Sequence, residues 1–267
     1  MTTLTILRAG PLTTLQDAGR FGMLRHGISA SGPMDRGAFA AAGGALPVAG
    51  STGIEFTQGL AFEVHGPLTI AIPTVRKLQS GERVELPPVA GNYGYVRFDR
   101  EIDITPVLSS RSTNVTVGLG GYEGRALKAG DRIAFAGEGR PEPTAVPTSG
   151  DGPLRVIWGL HADLFDTELR DRFTTSTFRV TRSLDRMGVR LEDPAGIFRG
   201  QQRLSLVSDA IVPGDIQILG DGTPIVLMRD HQPTGGYPRI ATIVSADLDR
   251  FAQMRPGTAL SFRPVDR

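Results

Sequence analysis

The frequency with which this chain must turn constrains its fold more than any other feature. Thirty-four glycines and 19 prolines punctuate 267 residues. Proline breaks helix interiors, and both residues favour turns, so many turns and little long helix are expected. Between the breaks stand short apolar or alternating runs, the pattern of half-buried strands. In the first half these are Thr3–Arg8, Ala61–Val64, Leu68–Ile72, Arg83–Leu86, Tyr93–Phe98, Asn114–Val117 and Arg132–Phe135. In the second they are Leu154–Trp158, Phe178–Val180, Gly188–Leu191, Ile216–Leu219, Ile225–Met228, Arg239–Val244 and Ala259–Phe262. Asp221-Gly222 between two of them is a hairpin signal, because tight hairpin turns need positive φ. Three short helices are predicted. Pro33–Leu46 has proline in its first turn. Ala162–Phe173 places Phe165, Leu169 and Phe173 on one stripe. Ala246–Met254 follows Ser245 as N-cap. No strand–helix–strand rhythm emerges, which argues against a doubly wound parallel sheet.

A turn glycine, a polar residue and an alternating strand recur at Gly81–Leu86, Gly130–Phe135 and Gly257–Phe262. Residues 137–153 are dense in glycine and proline and read as a linker. The expected organisation is a β-rich half over 1–136, the linker over 137–153 and a second β-rich half over 154–267.

Charge and composition remove several functions. Twenty-nine basic residues face 28 acidic ones, a net charge of +1, which argues against a nucleic-acid protein with a strongly basic surface. The absence of cysteine excludes disulfide scaffolds, cysteine-based zinc or iron–sulfur sites and cysteine nucleophiles. No apolar run approaches the roughly 20 residues of a membrane span, and Met1–Gly10 lacks signal-peptide character. A cytoplasmic protein is expected.

Familiar catalytic signatures fail. Gly118–Gly124 carries Glu123 where a dinucleotide loop needs its third glycine. Neither Lys77 nor Lys128 follows a glycine, so there is no Walker A loop. Gly27–Ser31 misses the last position of a nucleophile elbow. His26, His65, His161 and His231 are scattered, and no metal site is expected from them.

Other segments are denser in polar residues and glycine than strand ends require. They are Thr13–Arg20, Ser29–Asp35, Ser109–Asn114 with Gly121–Arg125, Ser183–Gly188, Ser208–Gln217 and Arg229–Ala241. Adjacent glycines at Gly235 and Gly236 let backbone N–H groups approach an oxygen closely. Gln217 and Gln232 can donate and accept together, which suits an amide, lactam or ureido ring. Arg111 and Arg186 can grip a carboxylate or phosphate with a bidentate fork. The alternative is that these are hairpin loops whose polar side chains satisfy turn backbone.

Taken together, Thr14–Arg20, Ser31–Arg36, Ser110–Asn114, Asp185–Gly188 and Thr234–Pro238 resemble the motifs of the allophanate hydrolase subunit 2 family, also called the carboxyltransferase-domain C/D family. The resemblance runs from Leu4 to about Phe262. Members include the C component of the bacterial ATP-dependent 5-oxoprolinase and the carboxyltransferase part of urea carboxylase. There are departures. Pro73-Thr74-Val75 replaces a common Gly-Ala-Asp stretch. Phe98–Glu101 replaces Ala-Gly-Gly, Ser109 a glycine and Arg239 a lysine. The chain is short for the family: either loops near Pro73–Asp99 are lost or segments are absent from it.

The resemblance implies a mainly β fold with cyclophilin-like β-barrel architecture. It implies a subunit 1 partner, like the B component of 5-oxoprolinase, in a heterodimer or heterotetramer. ATP and Mg²⁺ would act at the level of the complex on a small amide or lactam, with a LamB/YcsF-like third component completing hydrolysis. Asp17, Arg111, Arg186, Gln232 and Tyr237 are then the catalytic candidates. Gln16, Ser112, Thr113, Asn114, Gln217, Thr234, Gly235, Gly236 and Arg239 are the substrate-binding ones. Asp17, Asp209 and Asp230 are alternatives for holding Mg²⁺ or acting as a base. A second implied reading is carboxyl transfer from biotin carried on another protein to urea, since this chain has no Met-Lys-Met site. A third is regulation by binding a kinase inhibitor.

Overall fold

The computed structural model describes residues 1–143, 150–200 and 206–266. The chain divides into two compact units. The first is Met1–Phe21 with Ala30–Pro147, and the second is Gly22–Ser29 with Thr148–Arg267. Of the expected linker, residues 144–149 lie outside the described residues. Among the described residues no helix is long and apolar enough to cross a membrane.

The first unit holds β1 (Thr3–Ala9), β2 (Thr14–Gln16), β3 (Gly53–Phe56), β4 (Leu60–His65), β5 (Leu68–Ile72), β6 (Thr74–Leu78), β7 (Arg83–Leu86), β8 (Gly94–Phe98), β9 (Arg100–Ile102) and β10 (Arg132–Glu138). They form two five-stranded sheets, ordered β7-β4-β1-β10-β9 and β2-β3-β8-β5-β6. Alternation in β1 buries Leu4 and Ile6 while Thr3 and Thr5 stay half-exposed. These side chains join Leu15, Ile54, Phe56, Phe62, Val64, Val96 and Phe98 in one core. Each such burial contributes about 1.5–3 kcal/mol. Helix α1 (Arg36–Gly44) packs its Phe39 edge-on to Tyr95, with centroids 5.7 Å apart.

The second unit holds β11 (Leu154–Trp158), β12 (Phe178–Leu184), β13 (Gly188–Glu192), β14 (Asp209–Ala210), β15 (Asp215–Ile218), β16 (Pro224–Leu227), β17 (Thr234–Gly235), β18 (Arg239–Ile243), β19 (Ala259–Leu260) and β20 (Phe262–Pro264). Eight of them run β19-β12-β13-β16-β15-β18-β11-β20 in a nearly closed barrel sheet, and β14 pairs with β17. Helix α2 (Thr167–Thr175) sends Phe173 into the interior. There it stacks on Phe262, with centroids 4.8 Å and planes 12° apart, and contacts Phe178 and Phe198. Helix α3 (Ser245–Ala252) buries Leu248 and Phe251. The mainly β class with few short helices is therefore the fold of this chain.

Several local expectations shift. Asn114–Val117 is a turn rather than a strand, closed by Asn114–Leu119 bonds of 2.8 and 3.0 Å. The helix expected over Ala162–Phe173 breaks into a 3-10 turn, Ala162–Leu164, and α2. The cause is Asp166, whose extended backbone and carboxylate cap α2 by accepting from Leu169 N at 2.8 Å. In α3 the N-cap is Val244, and Ser245 lies inside the helix. Helix α1 starts at the Asp35 cap, three residues after Gly32. At the Asp221-Gly222 hairpin only Gly222 has positive φ, and Asp221 instead accepts from Thr223 N at 2.9 Å. Gly81, Gly130 and Gly257 all take φ near +90° before β7, β10 and β19, so the recurring turn signal is real.

Replacing Phe173 by alanine removes the ring at the centre of this aromatic cluster. It should cost about 3–5 kcal/mol, read as a lower urea midpoint and Tm. Leu160→Ala, at a side chain 71% exposed, should stay near the parent.

Candidate functional site

The polar motifs assemble as two groups, one in each unit. In the first unit, β2 lays Gln16 and Asp17 beside residues 110–114. The Asp17 carboxylate accepts from Ser110 Oγ at 2.6 Å, Arg111 N at 2.6 Å, Ser112 Oγ at 2.7 Å and Gly19 N at 2.9 Å. Burial pushes its pKa up, but these donors outweigh burial and hold it below the usual 3.8. Gln16 Nε2 donates to Thr14 Oγ1 and Thr113 O, while its Oε1 accepts from Gly32 N at 3.1 Å. Thr113 Oγ1 donates to Leu15 O at 3.0 Å. Asn114 Oδ1 accepts from Val117 N. Arg111 Nε donates to Ile104 O at 2.6 Å, and its Nη1 stands 3.9 Å from Glu101. Gln16, Asp17, Ser112, Thr113 and Asn114 are thus brought together, and their polar atoms engage one another and nearby backbone.

In the second unit, Arg186 and Asp230 form a bidentate pair of 2.8 and 3.1 Å with both side chains buried. Asp230 N also donates to Arg186 O at 2.7 Å. Arg239 forks to Ala210 O at 2.8 Å, Asp209 at 2.6 Å and Asp215 at 3.3 Å. Thr242 Oγ1 donates to the other Asp215 oxygen at 2.6 Å. Gln217 is buried, and its Nε2 donates to Tyr237 O at 3.4 Å. Neither Gly235 nor Gly236 has positive φ. Their small size serves close packing instead. A Cβ on Gly235 would stand 2.5 Å from Gln217 Nε2, and one on Gly236 2.9 Å from Leu206 O. Thr234 is exposed, Gln232 is half-buried and Tyr237 is 40% exposed.

Sequence reasoning passed over Glu55 and weighed His231 only as a metal ligand. Glu55 is fully buried and accepts from Met34 N at 2.7 Å and Tyr95 Oη at 2.9 Å. Burial, then the Glu55 charge, raises the Tyr95 pKa, so the phenol stays protonated and donates. His231 is buried, and its Nδ1 lies 2.6 Å from Gln232 O. A carbonyl only accepts, so Nδ1 carries the proton. A Glu inside an apolar strand and a His between Asp and Gln were the available signals.

A profile of the carboxyltransferase domain, subdomains A and B, matches residues 26–264. The chain belongs to this carboxyltransferase-domain family. Among its relatives is the C component of the 5-oxoprolinase of Escherichia coli K12, 35% identical over 97% of this chain and 90% of the relative. Its Haemophilus influenzae counterpart, also a 5-oxoprolinase C component, is 31% identical over the same shares. The Lachancea kluyveri urea amidolyase is 28% identical over 96% of this chain, which spans only 16% of that protein. The crystal structure of the K. lactis urea amidolyase superposes with a TM-score of 0.87 at 26% identity. It covers 99% of this chain, which spans 19% of that one. In this chain the polar side chains of the five motifs chiefly hold loops in place.

The neutral His231 makes stability depend on pH. Burial is the largest influence and lowers its pKa below 6.5, against the raising effects of Gln232 O, Asp215 and Asp230. The unfolded chain therefore binds this proton more readily, and stability falls as pH drops below 6.5 towards the folded-state value. His161 shifts in the same direction, mainly through burial. In urea unfolding between about pH 5 and 7.5, His231→Gln should flatten the slope, leaving the share owed to His161.

Proposed function

We propose that this chain is one component of an ATP-dependent 5-oxoprolinase-type enzyme, working with a subunit 1 partner on a lactam. The observation that carries the reading is coverage. The chain spans 90% of the C component of E. coli 5-oxoprolinase but 16% of the L. kluyveri urea amidolyase. A lactam carbonyl is resonance-stabilised. Transfer of the γ-phosphoryl group to its oxygen, with ADP leaving, makes the carbonyl carbon open to attack by water. Such transfer rests on positioning and charge stabilisation more than on a protein nucleophile.

Roles are assigned by the partners each residue already has. Asp17, Ser112, Thr113, Gln16, Arg186, Gln217 and Arg239 act as positioning residues, because their polar atoms already have partners inside the chain. Gln232, two residues before the Thr234–Pro238 loop, and Tyr237 within it are assigned contact with the reacting complex. Arg111 keeps a half-buried guanidinium with one short bond and is assigned charge stabilisation. Asp17 and Asp230 are saturated by donors or arginine, and Asp209 is paired with Arg239. These carboxylates do not fit a Mg²⁺ site, so no step is derived through the metal in this chain.

Co-expressed with its subunit 1 partner, the chain should form a heteromer that hydrolyses ATP with 5-oxoproline as stimulant, releasing glutamate once a LamB/YcsF-like component is added. Gln232→Ala and Tyr237→Phe should lower kcat/KM by about 10²-fold, a few kcal/mol of transition-state stabilisation, with the heteromer and its Tm unchanged. Stimulation by urea with carboxybiotin instead would move the assignment to carboxyl transfer. An intact heteromer without turnover on either substrate would favour regulation by binding.

A further inference from the structure

Three arginines line one pocket of the second unit, and only two of them are used by the fold. The pocket measures about 220 Å³ and is mainly polar, with Asp151, Pro153, Arg155, Asp247, Arg250 and Arg263 among its walls. None of these residues belongs to the candidate set described above.

The last two strands in the order of the eight-stranded sheet supply two of the arginines. β11 and β20 run parallel, with Leu154 opposite Phe262 and Arg155 opposite Arg263. Leu154 and Phe262 are buried. Successive side chains of a strand point to opposite faces, so Arg155 and Arg263 stand side by side on the outer face. Like charges directly opposite one another on paired strands are destabilising. The chain nevertheless places arginine at both positions.

Arg155 is neutralised within the fold. Its Nε and Nη2 donate to Asp247 Oδ1 at 3.2 and 2.7 Å, and its backbone N donates to Asp247 Oδ2 at 2.7 Å. Arg250 donates from Nη1 to Gly152 O at 2.8 Å and from Nη2 to Pro153 O at 3.3 Å, with Asp247 3.7 Å away. Arg263 is different. It is exposed and, among the described residues, makes no hydrogen bond or ion pair. Asp151 is likewise exposed and unbonded among them. Three guanidiniums against two carboxylates leave a local charge of +1, and Asp247 is already taken by Arg155. The Arg263 fork and Arg155 Nη1 remain as open donors on one face.

We propose that this pocket binds a single phosphate group, carried by inorganic phosphate or by a small phosphate monoester, on the Arg263 fork and Arg155 Nη1. The open donors come from two strands. The tetrahedral oxygens of a phosphate meet both guanidiniums at once, whereas a planar carboxylate fills one fork. A dianion also gains more than a monoanion from an arginine that the fold leaves uncompensated. The pocket is smaller than the roughly 300–1,000 Å³ of sites for drug-sized ligands, and no aromatic side chain lines it for a base to stack on. It therefore fits a phosphate group and not a nucleotide. Asp151 opposes the anion, but no bond holds it in place, so it is free to turn to water. The proposal rests neither on the lactam reading nor on the ATP which that reading requires.

Isothermal titration of the full chain at about 0.15 M salt tests it, with inorganic phosphate, methyl phosphate, acetate and ATP as probes. Phosphate and methyl phosphate should bind at millimolar concentration or below, and acetate at least tenfold more weakly. Tighter binding of methyl phosphate assigns the site to an ester, and equal or tighter binding of phosphate assigns it to the free ion. Arg263→Gln should weaken both about tenfold, the loss of one charged fork, while circular dichroism and Tm stay at the parent values, because this side chain holds nothing in the fold. Asp151→Asn should tighten binding. Arg132→Gln, at an exposed arginine of the first unit, should leave it unchanged. No binding of either phosphate at millimolar concentration overturns the proposal, as does acetate binding as well as phosphate. So does phosphate binding that Arg263→Gln leaves intact, or that Arg132→Gln weakens equally. ATP binding at least tenfold tighter than phosphate and lost with Arg263→Gln would make the pocket part of a nucleotide site and overturn the single-phosphate assignment.

Discussion

A buried carboxylate, Asp17, fixes the first unit. It follows a strand of only three residues, β2, which could not hold its place by ladder bonds alone. Removing a carboxylate from water is costly unless donors replace the lost hydration. Four donors do so here, two hydroxyls and two backbone N–H groups. Three of the four come from residues 110–112, more than 90 positions along the chain. The same atom group therefore satisfies itself and closes a long loop. It also fastens the turn at Gly19, the next bend of the chain after β2.

The second unit meets the same problem with arginine. Arg186 and Asp230 are both buried, and each would be a severe liability without the other. Their bidentate geometry ties the turn before β13 to the loop after β16. Arg239 does similar work with Asp209 and Asp215, joining β18 to β14 and β15. The Arg-rich composition therefore has a structural use beyond surface charge, because a planar fork can bridge two segments where a lysine offers one point charge.

The strands were legible where alternation and punctuation agreed. Leu68–Ile72, Arg83–Leu86 and Leu154–Trp158 lie as their patterns require. β2 and β9 were not legible, since three residues carry no period, and β6 is exposed at four of its five positions. Asn114–Val117 reads as a strand by composition, yet Asn114 closes a turn with its own backbone and side chain. At the candidate site the residue types were readable but their partners were not. Arg186 looks like a ligand fork until Asp230, 44 positions away, is seen to fill it. Gly235 and Gly236 look like a backbone approach to a ligand oxygen until Gln217 and Leu206 are seen to occupy the space beside them. Long-range pairing is absent from any local window, so a polar motif reads alike whether it serves a ligand or the chain itself.

That ambiguity has a physical resolution. A group whose hydrogen-bonding capacity is already filled by the fold can take a ligand only by breaking a buried bond, at about 1–3 kcal/mol or more when charge is involved. A ligand contact at Asp17 or Arg186 would carry that penalty. Contact at the 40%-exposed Tyr237 requires no such break. The chemistry of this chain is therefore to be sought at Gln232, Tyr237 and Arg111 rather than at the motif side chains that the fold has already paired.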